Sequence, residues 1–450
     1  MIFDLEKYSR LPQGWSKVRL SDLADFNSKS WSQKDKPDTI NYIDISSVST
    51  GKASQPTEML FDDAPSRARR KVSSGDIIIS TVRPNLKQYA LLDFEFDNLT
   101  ASTGFCTITP KKTEYTWLIY SVITSDIFTE HLVRVAQGAA YPAIKPSDIS
   151  DAYIGLPPES ELASFNKLVS GLWQKQVLND KMNQTLEKIA QRIFKSWFID
   201  FDPVKANKEG LPFDGLSPEI QALFPSEFED SELGMIPKGW EVSTIKQLQE
   251  KLSKGTTPRK KDVESALDDP SIPFIKVRNI SDTGFIESEL ETVSNSIHEG
   301  ALKRSILQSD DLLFTIAGTI GRVAIVPDRL NNSNCNQAVC FIRLKDKLTY
   351  NSYLYLHLKS KRVQGQISSK VVQAVQANAS LQNINDINFS LPPNKLMESW
   401  NKVSLPLFDR VKEIEKQNIT LTSLRDKLLP KLISGQISVG EVKQELAEAI

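Results

Sequence analysis

Cysteine and histidine are scarce in this chain of 450 residues, and their scarcity excludes several classes of protein. There are 3 cysteines and 3 histidines. Thiols so few and so scattered, with no CxxC pair among them, do not form a disulfide framework. None of His131, His298 and His357 has a neighbour at metal-ligand or catalytic-triad spacing. We therefore expect neither a metal site nor histidine-based catalysis.

A surplus of one charge and long apolar runs are also missing. The 55 basic and 56 acidic residues give a formal net charge of −1, so any affinity for nucleic acid must come from local patches or from partner subunits. No apolar run approaches the roughly 20 residues that cross a bilayer. The N-terminal segment MIFDLEKYSRLPQGW has acids where a signal peptide has a basic start, and we expect a cytoplasmic protein.

Motifs for nucleotide hydrolysis and methyl transfer are absent from the sequence. It contains no GxxxxGK[ST] phosphate loop and no Asn-Pro-Pro-aromatic motif of the adenine methyltransferases. The segment from Gly318 to Gly321 lacks the third glycine and the downstream acid of a dinucleotide loop. These absences favour a binding module over an enzyme.

The second half of the chain repeats the first. Leu11-Pro-Gln-Gly-Trp15 returns as Ile236-Pro-Lys-Gly-Trp240, and an apolar segment follows both Asp76 and Asp311. Each half closes on a polar loop and a Leu-Pro-Pro. From one Asp to the other, and from one Leu-Pro-Pro to the other, the offset is the same 235 residues. A register held over this distance indicates a duplicated domain.

Each Leu-Pro-Pro opens a segment with apolar residues at three- and four-residue steps. They are Phe165, Leu168, Leu172, Met182, Leu186, Ile189, Ile193 and Trp197 in the first half, and Leu407, Val411, Ile414, Leu421, Leu424, Leu428 and Leu432 in the second. The pattern predicts helices of about 35 residues and about 50 Å, with a coiled-coil stripe. Antiparallel pairing would return the chain to the other domain, although a helix packed on its own domain would show the same stripe. Asn183 and Asn418 would be polar positions that fix the register.

We therefore predict an α+β fold. Two similar mixed α/β domains, in a pseudo-two-fold arrangement, are separated by two long antiparallel coiled-coil helices. The predicted bounds are 1–156 and 236–391 for the domains, 157–200 and 392–435 for the helices, 201–235 for a central extended connector that docks on a partner subunit, and 436–450 for a C-terminal tail.

Polar and basic clusters fall at corresponding points of the two halves. Arg and Lys can bond guanine, Asn and Gln can bond adenine, and Ser and Thr suit phosphates, although any surface loop is rich in these residue types. The candidate DNA-binding residues are Arg83, Asn85, Lys87, Ser102, Thr103, Gln137, Tyr141 and Lys145 in the first half, and Lys254, Thr256, Arg259, Arg278, Asn279, Thr319, Arg322, Asn336, Gln337, Gln376 and Asn378 in the second.

The layout resembles the specificity subunits of type I restriction-modification enzymes. The resemblance rests on the two [LI]PxGW starts, the two Leu-Pro-Pro helices, the segment from Trp197 to Pro203 and the segment from Leu424 to Gly435. It covers nearly the whole chain, and its globular parts match more loosely than its helices.

The resemblance implies a non-catalytic subunit in which each target-recognition domain reads one half of an asymmetric, bipartite DNA site. The antiparallel helices would set the number of unread base pairs between the halves. Two modification subunits with S-adenosylmethionine would dock on the helices and flanking segments, and restriction subunits that use ATP and Mg would join them. This chain would bind no cofactor itself. The expected partner surface comprises Trp197, Phe198, Phe201, Phe224, Leu428 and Leu432.

Two alternatives remain open at this point. A single-chain restriction or methylation enzyme would need the motifs that are missing. A protein-binding scaffold with duplicated adaptor domains and no DNA contact would need none of them.

Overall fold

The computed structural model describes residues 2–32, 34–266, 268–287, 290–372, 378–442 and 444. It divides the chain into two compact units. The first unit joins Met1–Val177 to Thr420–Ile450, and the second is Leu178–Ile419. The first unit is therefore built from both ends of the chain.

Within its described residues, the first unit contains short strands, four short helices, the beginning of one long helix and the end of another. The strands are β1 (Ser16–Arg19), β2 (Ala24–Phe26), β3 (Thr39–Ile43), β4 (Val48–Ser49), β5 (Lys52–Ala53), β6 (Thr57–Leu60), β7 (Ala68–Lys71), β8 (Ile77–Ser80), β9 (Tyr89–Leu91), β10 (Leu99–Ser102), β11 (Phe105–Pro110) and β12 (Tyr153–Leu156). The helices are α1 (Leu20–Leu23), α2 (Thr116–Ile123), α3 (Asp126–Val135), α4 (Pro146–Ser150) and α5 (Glu159–Phe198), which continues into the second unit.

The second unit has the same mixture of elements. Its strands are β13 (Phe228–Glu229), β14 (Ile236–Pro237), β15 (Glu241–Thr244), β16 (Gln249–Lys254), β17 (Pro270–Ile275), β18 (Glu291–Ser294), β19 (Leu312–Thr315), β20 (Val323–Ile325), β21 (Asn334–Cys335), β22 (Val339–Leu344) and β23 (Asn388–Leu391). Its helices are α6 (Asp202–Glu209), α7 (Pro218–Gln221), α8 (Ile245–Leu248), α9 (Lys260–Glu264), α10 (Asn295–Glu299), α11 (Lys347–Lys359), α12 (Lys361–Val372), α13 (Leu381–Asn385) and most of α14 (Asn394–Ile433), which ends in the first unit.

The sheets of the two units have equivalent topologies. The order β2-β11-β8-β9 in the first unit matches β16-β22-β19-β20 in the second, and the pair β1-β12 matches β15-β23. The order β6-β3-β10-β7 matches β18-β17-β21, in which β21 runs parallel to β17 as β10 runs parallel to β3. Within the described ranges of the second unit, β7 has no full counterpart. Both long helices span 40 residues, and their ends lie 235 positions apart.

Strand β8 shows why the sequences of β8 and β19 are unbroken apolar runs. Ile77 and Ile79 belong to a core cluster that also contains Leu118 of α2, whereas Ile78 belongs to a second cluster with Phe105. Both faces of the strand are therefore buried, and a strand buried on both faces needs apolar side chains at every position. Strand β19 repeats this arrangement with Leu312, Leu313 and Phe314.

The long helices pair in each unit. In the first, Gln176 Nε2 donates a hydrogen bond to Thr422 Oγ1 at 2.9 Å. In the second, Asn179 Nδ2 donates to Asn418 Oδ1 at 2.9 Å, and the Trp197 ring centroid lies 5.9 Å from that of Trp400. As the residue numbers of the contacts increase along α5, those of their partners on α14 decrease, so the pairing is antiparallel. The predicted mixed fold with two long antiparallel helices is confirmed.

Asn418 lies at the helix contact as predicted, but one detail of the predicted apolar stripe was wrong. Asn418 pairs with Asn179, and its Nδ2 donates to Asp180 Oδ1 at 3.0 Å. Asn183 is not part of that pair, and its buried Oδ1 has no hydrogen-bond partner among the described residues. The stripe is also interrupted on α5, because Met182 and Ile189 are 41% and 40% exposed.

Five of the six residues predicted to form the partner surface are buried within the chain. Trp197, Phe198 and Phe224 are buried in the core of the second unit. Leu428 and Leu432 are buried in the core of the first. Phe201 is half-buried, with its ring centroid 5.6 Å from that of Trp240. Large apolar side chains near helix ends fill the protein's own interior here.

The segment 201–235 is not extended as predicted. It forms α6 and α7 and packs on its own unit, where Val204 and Phe224 are buried. Asn207 Nδ2 donates to the Phe224 carbonyl oxygen at 2.8 Å, and Gln221 Nε2 donates to Asn207 Oδ1 at 2.9 Å.

In the described ranges, no helix combines the length and the hydropathy that a membrane span requires.

The Asn179–Asn418 contact gives a test of the helix pairing. Asn418→Leu should lower the free energy of unfolding by about 1–3 kcal/mol, because it removes hydrogen bonds from a buried amide and from Asp180. Asn179→Leu combined with Asn418→Leu should cost less than the sum of the single changes, and denaturant titration measures this coupling. Asn183→Leu, at a site with an unsatisfied amide oxygen, should be neutral or stabilising. Strictly additive single changes would contradict a direct contact.

Burial of His357 makes the stability of the second unit depend on pH. Burial, together with the charge of Arg362, lowers the pKa of His357 to about 4. A histidine with a lowered folded-state pKa contributes stability above its unfolded pKa of about 6.5, and this is lost as pH falls toward the folded value. Between pH 7 and pH 5 the wild type should lose about 2 kcal/mol more than His357→Gln. Equal losses in denaturant titrations at the two pH values would refute this.

Candidate nucleic-acid interface

Several strands of the first unit begin or end at one place. Strands β8 and β10 end there, while β7 and β11 begin there. The Thr81 amide donates to the Gly104 carbonyl oxygen at 2.9 Å, and the Thr103 amide donates to the Arg67 carbonyl oxygen at 2.7 Å. We call the segments 67, 81–87, 103–104 and 137–145 the first loop end.

The loop 137–145 is held there by backbone hydrogen bonds. The Ile144 amide donates to the Thr81 carbonyl oxygen at 2.9 Å, and the Arg83 amide donates to the Pro142 carbonyl oxygen at 2.7 Å. Gln137 and Ala143 bond each other through both backbone groups. Side chains from two loops that are far apart in the sequence are therefore brought together on an ordered backbone.

Arg83 and Tyr141 form an exposed pair at the first loop end. The Arg83 guanidinium lies 4.6 Å from the Tyr141 ring centroid, and Tyr141 is 69% exposed. Arg83 has a φ of 51°, a left-handed conformation that turns the chain sharply before Pro84. An exposed planar cation beside an exposed ring can bond base edges and stack on bases.

The other residues predicted in the first half divide into two groups. Asn85, Thr103, Gln137 and Lys145 are exposed at the first loop end, and Lys87 is half-buried with its Nζ 2.7 Å from Asp126 Oδ1. Ser102 is fully buried, and its Oγ accepts a hydrogen bond from the Gly104 amide at 3.3 Å. The prediction for Ser102 is therefore corrected to a structural role.

The second unit has an equivalent end. The Ala379 amide donates to the Ile316 carbonyl oxygen at 2.9 Å, which repeats the Ile144–Thr81 bond 235 residues later. Here Gly255 also comes close to the backbone, because a Cβ would lie 2.1 Å from the Cys335 carbonyl oxygen. Only glycine fits at that position. We call the segments 254–259, 276–279, 316–322, 336–338 and 378–380 the second loop end.

Most residues predicted in the second half lie at this end with differing exposure. Lys254, Arg259, Arg278, Thr319, Gln337 and Asn378 are exposed, while Thr256 and Asn336 are half-buried. Arg259 pairs with Asp262 at 3.0 Å, and Arg278 pairs with Glu291. The buried Oδ1 of Asn336 has no hydrogen-bond partner in the described part of the chain. Gln376 lies outside the described residues.

Two predictions in the second half are corrected. Asn279 is buried, with Oδ1 accepting from the Lys276 amide at 2.9 Å and Nδ2 donating to Glu287 at 3.0 Å. Arg322 is held inside the unit by Asp282 at 2.6 Å and by a carbonyl oxygen at 2.8 Å. Both side chains stabilise loops instead of facing outward.

The repeated Asp residues have a structural role. Asp76 Oδ2 accepts from the Ser73 amide at 2.8 Å, and Asp311 Oδ2 accepts from the Gln308 amide at 2.8 Å. These equal turns lead into β8 and β19. Asp311 also forms a buried ion pair with Arg343 at 2.7 Å.

The structure gives the cysteines no reactive environment. All three thiols are buried, and burial raises the pKa of Cys106 and Cys340 to about 12. Buried thiols with raised pKa values are poor nucleophiles and poor metal ligands. Among the described residues, no group of three or more His, Cys, Asp and Glu side chains could hold a metal ion.

Three cations next to the first loop end were not among the predicted residues. Arg67, Arg69 and Lys71 lie in or beside β7. The available signal was the density of basic residues, four of the five in Arg67-Ala-Arg-Arg-Lys71.

Comparison with known families decides the identity of this fold. The model of the type I restriction modification DNA specificity domain matches residues 12–190 and 237–420, more than half of the chain. The chain belongs to this family. As a specificity subunit it is a non-catalytic component of a type I restriction-modification system, as the sequence predicted.

Curated specificity subunits match over much of their length. The chain is 26% identical to the type I restriction enzyme HindI specificity subunit of Haemophilus influenzae, over 94% of this chain and 99% of that protein. It is 27% identical to the MjaIX specificity subunit of Methanocaldococcus jannaschii, over 76% of this chain and 74% of that protein.

Solved structures of specificity subunits are also similar. The S subunit from M. genitalium is 16% identical, with a TM-score of 0.49, over 94% of this chain and 96% of that one. The HsdS subunit from Thermoanaerobacter tengcongensis is 20% identical, with a TM-score of 0.35, over 95% of this chain and 98% of that one.

Proposed function

We propose that this specificity subunit binds double-stranded DNA and reads a bipartite, asymmetric sequence, one half through each loop end. The observation that carries the proposal is the equivalence of the two ends. The Ile144–Thr81 and Ala379–Ile316 hydrogen bonds hold corresponding loops at corresponding strand ends. Two copies of one scaffold therefore present two sets of polar side chains.

The two sets differ, and this supports an asymmetric target. The position of Arg83 in the first repeat corresponds to Gly318 in the second, and that of Lys145 corresponds to Ser380. Arg and Lys can bond guanine or phosphate, which glycine and serine side chains do not do in the same way. Equivalent loops with different donors and acceptors would read different bases.

Partner subunits would supply the chemistry. We infer that two modification subunits, with S-adenosylmethionine, methylate the DNA that this chain selects. Restriction subunits with ATP and Mg would translocate and cut it, and the complex would act on cytoplasmic DNA. Five of the six residues first expected to face these partners are buried, and Phe201 is half-buried, so docking would use others as well.

Methylome sequencing tests the proposal directly. A host with the chain and its modification partner should carry methylated adenines in a two-part sequence with an unread gap, and these should vanish when the chain is deleted. For the matched variant, seven residues are inserted after Val177 in α5 and seven before Thr420 in α14. Because equal lengths are added to both antiparallel helices at the same level, the residues that contact each other on either side of the insertions stay opposite each other.

The insertion should leave both half-sites unchanged and widen the gap by about 10 Å, or about three base pairs. An unchanged gap would refute the role of the helices as a spacer. A host with a complete complex and no sequence-specific methylation would instead favour the scaffold without DNA contact.

Arg83 and Tyr141 give a residue-level prediction. Arg83→Met and Tyr141→Ala should each weaken binding to the target duplex by about 1–3 kcal/mol and relax selectivity in one half-site only. Electrophoretic or fluorescence titrations with each half-site randomised would measure this. The control is Lys112→Met, which removes another exposed cation near a ring, Tyr115, in the same unit. Equal losses in control and test variants would contradict a specific role.

A further inference from the structure

Three cations of the segment that contains β7 lie against side chains of one apolar cluster. Arg67, Arg69 and Lys71 contact aromatic residues that all belong to the cluster around Ile40. We call these three side chains the cation row.

Each member of the cation row lies against an aromatic side chain. Arg67 Nε donates to the Tyr42 hydroxyl oxygen at 3.2 Å. The Arg69 guanidinium is 4.7 Å from the Phe61 ring centroid, and Lys71 Nζ is 4.1 Å from the Trp31 ring centroid. The aromatic side chains restrict the cations without covering them.

The charges of the cation row are accessible and only partly neutralised. The Arg67 side chain is 54% exposed and pairs with Asp44 at 3.1 Å, and Lys71 is 28% exposed and pairs with Asp35. Arg69 is half-buried and donates to the Ala68 carbonyl oxygen at 2.8 Å. Ion pairs of this exposure contribute little, so a phosphate can replace the carboxylate at small cost.

The cation row is continuous with the first loop end. The Thr103 amide bonds the Arg67 carbonyl oxygen at 2.7 Å, so the row begins where the loops meet and runs along β7 away from them. A duplex bound at the loops continues beyond the bases that they read, and its next groups along the backbone are phosphates.

Among the described residues of the second unit, no equivalent row is found. The Ser73–Asp76 and Gln308–Asp311 turns correspond, which makes Leu307 the counterpart of Val72. The segment before Leu307 contains the turn Lys303–Ser305 in place of strand β7, and Leu302 before it is fully buried. Two cations, Lys303 and Arg304, stand where the first unit has four in segment 67–71.

We propose that the cation row is a phosphate-binding surface for the duplex that flanks the half-site read by the first loop end. Its contacts are with the backbone and are independent of base sequence. The first unit therefore has a longer footprint on DNA than the second. This inference rests on the proposed DNA binding.

Salt dependence of binding tests the inference. The full chain with its modification partner is titrated with the target duplex, and with a duplex lacking the target, at several salt concentrations. Arg69→Met with Lys71→Met keeps an apolar stem over Phe61 and Trp31 while removing two charges. The slope of log affinity against log salt should fall by about 0.9 per lost phosphate contact, or nearly 2 for the pair, on both duplexes. The ratio of target to non-target affinity should not change.

Matched variants separate charge from folding. Arg69→Lys with Lys71→Arg keeps both charges and should keep the wild-type slope. Lys17→Met with Arg19→Met removes two cations from β1 that also lie over a ring, that of Tyr153, and should leave the slope unchanged. Thermal melting identifies any variant with a damaged fold.

Each other outcome has a distinct meaning. A wild-type slope in Arg69→Met with Lys71→Met, alongside sequence-specific binding, overturns the inference and leaves the proposed function intact. A changed half-site preference would show that the row reads bases, which also overturns it. A wild-type complex that binds neither duplex would remove the proposed function itself.

Discussion

Each unit completes its apolar core with a helix segment from a distant part of the chain. In the first unit, Leu428 and Leu432 of α14 share a cluster with Phe165 of α5. In the second, Phe194 and Trp197 of α5 share a cluster with Trp400 of α14. Apolar faces left open to water would cost free energy in proportion to their area, so each unit needs segments of both long helices to close its core. The pairing of α5 with α14 is therefore the constraint on which both units depend.

The two units share one arrangement of strands and turns but carry different side chains on their loops. Strands β8 and β19 are buried on both faces, so their positions are fixed by packing on two sides. The turns that lead into them are held by Asp76 and Asp311 through equal hydrogen bonds. The loops at the other ends of these strands are not constrained by packing on two sides. Their side chains can differ between repeats while the backbone bonds that hold them stay the same.

Much of the architecture could be predicted because it repeats. An offset of 235 residues located both helices, whose observed ends keep that offset, and the Asp and Leu-Pro-Pro signals mark real strand and helix boundaries. The pairing partner of Asn418 could not be read from the repeat, since an offset aligns equivalent positions, whereas antiparallel contact joins non-equivalent ones. Asn179 is the contact.

The candidate site was less predictable for physical reasons. Polar side chains in loops bond the backbone as often as they face water, and Ser102 and Asn279 do so here. The aromatic residues at the end of α5 and just after it were expected to meet a partner, but Trp197 packs on Trp400 and Phe201 packs on Trp240. The cations of β7 were missed because their grouping depends on contacts with aromatic residues that lie elsewhere in the sequence.

The discontinuous first unit has a consequence for biosynthesis. Its final helical turns are in Thr420–Ile450, whereas the second unit is continuous from Leu178 to Ile419. At about 5–20 residues per second, the ribosome needs roughly 12–50 s to travel from Val177 to Thr420. During that interval Phe165 and its neighbours lack their partners from α14. The nascent chain therefore finishes its second unit before its first, the reverse of the usual N-terminal-first order.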